Sequence, residues 1–107
     1  MMKGLKSDEP YEVAPGCPTI SFDLGGESLM LAYSSFVSGC FKGDRIELLF
    51  QEWRIEVEGS ELGDVWRLLQ TQDLRVIRFS TKERRVHVGC WVNNIVASKV
   101  GGEGDLS

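Results

Sequence analysis

Three cysteines and a single histidine are the residues of this chain best suited to metal binding or nucleophilic chemistry. His87 stands three residues before Cys90 in the stretch "VHVGC", while Cys17 and Cys40 lie far off in the sequence. A zinc centre or a Cys–His nucleophilic pair would need His87 and a sulfur on the same side of the backbone. The residues around them are β-branched and alternate, as in a strand. Val86, Val88, Cys90 and Val92 then share one face, and His87, Gly89, Trp91 and Asn93 share the other. His87 and Cys90 are opposed on that reading, and neither Cys17 nor Cys40 brings the short paired spacing of a four-ligand site. No metal and no cofactor is expected. Cys40 with His87 across neighbouring strands is the remaining catalytic arrangement, but "SFVSGCF" is an apolar setting in which a free cysteine behaves as a small buried hydrophobe that reacts slowly. Glu47, Glu56 and Glu58 fall on polar strand faces, and "LGG" at 24–26 lacks the glycine spacing and following helix of a phosphate loop.

Positive charge offers a second site. Residues 1–66 carry 5 basic and 12 acidic side chains and residues 67–107 carry 7 and 4, for a net charge of −4. Arg75, Arg78, Lys82, Arg84 and Arg85 are concentrated in one segment, and Trp91 is placed to stack on a base or an arginine plane. Arginines and aromatics on a small sheet are one way to hold single-stranded nucleic acid. Against this stand the acidic balance of the chain and the opportunity for these cations to pair with glutamates such as Glu56 and Glu58 on adjacent strands. Trp53 and Trp66 fall on apolar stripes and are expected in the core, which leaves Trp91 as the exposed tryptophan.

The elements that must position these residues follow from periodicity. Ile20, Phe22 and Leu24 alternate with polar residues, "GGE" turns the chain, and Leu29, Leu31 and Tyr33 resume the period of two, a hairpin signature. Residues 36–41 continue extended, with Ser34, Ser35 and Gly39 marking a bulge or bend. "KGD" leads to Ile46, Leu48 and Phe50, and Trp53, Ile55 and Val57 alternate cleanly with Arg54, Glu56 and Glu58. The period then changes. Leu62, Val65, Trp66 and Leu69 form a helical stripe, so one short amphipathic helix is expected at about 61–72, with Ser60 as its cap. "LRVIRF" and "RVHVGCWVNNIVASKV" complete the set as strands.

About six strands joined by short connections, with one helix, define an α+β domain: a mainly antiparallel open sheet or a small, partly closed barrel. Prolines 10, 15 and 18 mark residues 1–18 as a flexible N-terminal segment, residues 19–100 as the single domain, and "GGEGDLS" at 101–107 as a flexible tail. An odd number of scattered cysteines and no apolar leader point to a reducing, cytoplasmic setting with no membrane partner. The function these features favour is a small non-enzymatic protein-binding or assembly module, including one that binds a copy of itself. The alternatives are weak single-stranded nucleic-acid binding through Arg75, Arg78, Lys82, Arg84, Arg85 and Trp91, and a cysteine-dependent enzyme using Cys40 and His87.

Overall fold

A computed structural model describes residues 10–80 and 89–100. Eight strands and one helix follow in the order β1 (Tyr11–Val13), β2 (Thr19–Asp23), β3 (Ser28–Ala32), β4 (Phe36–Lys42), β5 (Arg45–Phe50), β6 (Trp53–Ser60), α1 (Gly63–Gln70), β7 (Leu74–Ile77) and β8 (Trp91–Lys99). They form two four-stranded sheets, in the orders β1-β7-β2-β3 and β4-β5-β6-β8. Every pairing is antiparallel except β2 with β7. The domain is therefore α+β and mainly antiparallel, as the alternation requires, with two open sheets in place of the barrel alternative.

Two strands exceed the expected six because of what happens before residue 19 and after residue 32. Residues 10–18 belong to the folded body: β1 pairs with β7, and the amides of Ala14 and Gly16 donate to the Asp73 main-chain and side-chain oxygens at 2.8 and 2.9 Å. The prolines there shape the chain without freeing it. Tyr33–Ser35 forms a single 3-10 turn that separates β3 from β4, so what reads as one extended run passes from one sheet to the other.

The alternating apolar residues of both sheets meet in one core. Ile20 and Phe22 of β2, Leu74 and Ile77 of β7, Ile46, Leu48 and Phe50 of β5, and Ile55 and Val57 of β6 are all buried together. Phe22 and Phe50 join the sheets edge to face, with ring centroids 6.2 Å apart. The clean alternation at 53–57 is a strand with Ile55 and Val57 buried, while Trp53, at its start, is half-buried under the Lys99 ammonium, 5.4 Å from the ring centroid. Helix α1 lays Leu62 and Val65 into the core, with Trp66 and Leu69 half-buried beside them. A helix of eight residues is marginal alone, so this burial holds it in place.

The helix ends differ from expectation in ways that have local causes. Ser60 does not cap α1; it is the last residue of β6, paired with Trp91, and the N-cap position falls on Leu62 with no side-chain bond. At the other end Gln72 takes a left-handed conformation (φ 58°), the Gln72 amide donates to Leu69 O, and the Asp73 amide donates to Leu68 O at 2.9 Å. These two reversed bonds satisfy carbonyls that a helix end would leave open.

Candidate functional site

Of the basic site read from the sequence, the described residues include Arg75, Arg78 and Trp91. Arg75 lies in β7 and Arg78 just beyond it, and both guanidinium groups pair with one carboxylate, Glu12 of β1. The pairing expected with Glu56 and Glu58 thus occurs with a different partner, supplied by the N-terminal segment. Glu58 instead approaches Arg45 at 4.0 Å. Lys82, Arg84, Arg85 and His87 lie outside the described residues. Trp91 is not the exposed tryptophan: only 7% of it is accessible, so it does not offer a ring face to a base. Glu58 pairs with Asn94 and Gly59 with Val92, so Asn93 is an extra residue in β8; it turns Val92 to the core with Ile95, while Trp91 stands level with Ser60.

The second sheet presents a site that the sequence conceals. Strand β4 lies at the sheet edge, and six of its seven residues are exposed, including Phe36 and Val37. Its position follows from a tight hairpin. Gly43 (φ 58°) occupies the first central position of the two-residue turn between Lys42 and Arg45, as a type II′ hairpin requires. The strand then pairs with β5 along its length, with an irregularity between Phe36 and Ser38. Among the described residues, no strand lies against its far side in either sheet.

One face of β4 borders an apolar cleft of about 220 Å³, lined by Tyr33, Phe36, Gly39, Leu48, Trp66 and Leu69. Aromatic contacts frame it: Phe36 meets Phe50 edge to face at 5.4 Å, and Phe41 lies against Trp66 at 5.7 Å. Gly39 forms the floor, since a β-carbon there would lie 3.2 to 3.3 Å from Leu48, Phe36 and Trp66. Beneath, the Tyr33 hydroxyl donates to the Leu74 carbonyl at 2.6 Å, tying this corner to the first sheet. Burial raises the phenol's pKa above its usual range, and Cys17 and Asp73 nearby push the same way.

The opposite face carries Ser38, Cys40 and Lys42, level with Leu49, Glu47 and Arg45 of β5. Cys40 is exposed, contrary to its reading as a buried hydrophobe; it stands level with Glu47 on the face of the sheet turned away from Ile46 and Leu48 in the core, so an apolar sequence context does not bury it. It sits where two shallow depressions of about 180 and 280 Å³ meet, bordered by Glu47, Arg54, Lys42 and Arg45. Slow labelling of this thiol is therefore not expected. Cys17 and Cys90 are buried, and none of the three cysteines is in a disulfide. Among the described residues no three His, Cys, Asp or Glu side chains are grouped to hold a metal ion. Nor is any helix among them long and apolar enough to cross a membrane.

Fold and site together define a two-sheet α+β protein with one open, apolar sheet edge beside a cleft. The chain matches no family model, no curated protein and no solved structure.

Proposed function

We propose that this protein is a non-enzymatic contact module that binds a protein partner by strand addition to β4. The observation that carries this reading is the edge itself: an exposed strand bearing Phe36, Val37 and Phe41, flanked by an apolar cleft. A free edge holds a row of backbone donors and acceptors that an added strand satisfies, and a neighbouring pocket selects its alternate side chains. Sheet proteins ordinarily blunt such an edge with charge, proline or strong twist. Here the stretch from Ser38 to Phe41 has no charge and no proline.

Nucleic-acid binding ranks behind this reading because Arg75 and Arg78 are both engaged by Glu12. A cysteine-dependent enzyme ranks behind it because the Cys40 thiol lies exposed over two shallow depressions rather than in an enclosing pocket that would hold a substrate. None of the three cysteines is in a disulfide, which suits a reducing, cytoplasmic location.

The test compares affinity capture from the source cell by the wild-type chain and by Val37→Lys/Cys40→Lys, which puts two charges on the edge. Partners that act through β4 disappear with the variant, and hydrogen exchange of the purified complex slows at residues 36–42. An unchanged set of partners, with exchange at β4 unaffected, rejects the reading.

A further inference from the structure

We propose that Arg75 and Arg78 form a receptor for a single phosphoryl group, and that Glu12 of β1 occupies it in cis. The site lies on the first sheet and does not depend on β4 being a contact edge.

Its construction begins with a bulge. Glu12 pairs with Val76 and Val13 with Leu74, so Arg75 is an extra residue in β7. Under strict alternation Arg75 and Arg78, three apart, would stand on opposite faces of the strand. The extra residue reverses the faces midway. Leu74 and Ile77, also three apart, are accordingly both buried in the core, while Arg75 and Arg78 both reach the outer surface. Bulges re-aim side chains, and this one directs two guanidinium groups to one point.

That point is a carboxylate. Arg75 Nη2 donates to Glu12 Oε1 at 3.4 Å, and Arg78 Nη2 donates to Glu12 Oε2. Each guanidinium carries five N–H donors and gives one of them to a carboxylate oxygen, so the pair suits an anion with more oxygens than its occupant. A phosphoryl group brings three oxygens and close to two negative charges, and arginine forks bind it through parallel N–H bonds. Glu12 stands in for part of that larger oxyanion.

The exchange takes place at the surface. The Glu12 and Arg75 side chains are 44% and 53% exposed and that of Arg78 28%, and exposed ion pairs contribute little to stability. The backbone of β1 is held separately, by the Arg78 amide on Pro10 O and the Ala14 amide on Asp73 O, both at 2.8 Å. The Glu12 side chain can therefore swing away while its strand stays in the sheet. The net charge of −4 repels a polyanion in proportion to its charge, which favours a ligand bearing one phosphoryl group.

The test titrates the intact chain with phenyl phosphate and with inorganic phosphate, followed by amide chemical shifts. The wild type should bind at about 1 to 10 mM, with shifts centred on residues 12 and 75–78. Glu12→Gln removes the competing charge and should bind roughly fivefold tighter, the worth of one unit charge at contact distance in water. Arg75→Gln/Arg78→Gln should lose the binding, and phenyl sulfate, with a single charge, should bind more weakly than phenyl phosphate. Tighter binding of phenyl phosphate than of inorganic phosphate places the group on an ester, and equal binding places it on the free ion. If Glu12→Gln fails to fold, the wild type against the arginine variant decides. Shifts that persist once the arginines are replaced overturn the proposal, as does a wild type without saturable shifts. A folded Glu12→Gln protein that binds no tighter than the wild type overturns the role of Glu12, and phenyl sulfate binding as well as phenyl phosphate overturns the phosphoryl ligand.

Discussion

At Gly59 a β-carbon would lie 1.9 Å from the Trp91 carbonyl oxygen, because the slip in β6–β8 pairing brings the two backbones together there. Backbone cannot move aside as a side-chain tip can. Gly59→Ala should therefore lower stability by about 3 kcal/mol, at the upper end for overpacking, read from the midpoint of urea unfolding. Tyr33 makes a pH prediction. Burial raises its folded pKa, so above the unfolded value of about 10 the unfolded chain loses this proton while the folded one keeps it. Stability from this group is complete below pH 10 and is lost as pH rises toward the folded value. Urea midpoints at pH 8 and pH 11 should fall further for the wild type than for Tyr33→Phe. At pH 8 that variant should be less stable by about 1 kcal/mol, the worth of the bond to Leu74. Equal pH dependence in both proteins would contradict the burial of this phenol.

At the scale of elements, α1 is held by its buried face and by the reversal at its C-terminus. Gln72 adopts a left-handed backbone that glycine occupies at no steric cost. Gln72→Gly should stabilise the protein by about 0.5 to 1 kcal/mol, seen as a higher thermal midpoint. A loss of stability would mean that the Gln72 side chain does more than the backbone geometry indicates. Strand β1 belongs to the same scale. Its three residues pair with β7, and its Glu12 engages the two described arginines of the candidate nucleic-acid site. A proline-rich composition is a signal of low helix and strand propensity, and long-range pairing of this kind overrides it.

For the whole molecule, the net charge of −4 opposes approach of a polyanion, and the two described arginines of the basic segment already share the Glu12 carboxylate. Fluorescence anisotropy with mixed-sequence single-stranded DNA or RNA should show binding weaker than about 100 μM at physiological salt. Low-micromolar binding that weakens with salt, and disappears with Arg84→Glu/Arg85→Glu, would place nucleic acid ahead of a protein partner.

Local pattern determined much of this protein. The β2–β3 hairpin, the Lys42–Arg45 turn, the alternation that buries Ile55 and Val57, and the helical stripe of Leu62 and Val65 are all set by residues within a few positions of one another. Side-chain period and turn chemistry act at that range, so they are legible without the fold. The candidate site was not. Whether Cys40 is buried depends on which face of the sheet meets the core, and the pairing of Arg75 and Arg78 depends on a carboxylate more than sixty residues away. That Val92 and Ile95 share the core face depends on one extra residue, Asn93, in the ladder between Val92 and Asn94. Strand order, edges and bulges are relations between distant segments, and only the tertiary structure fixes them.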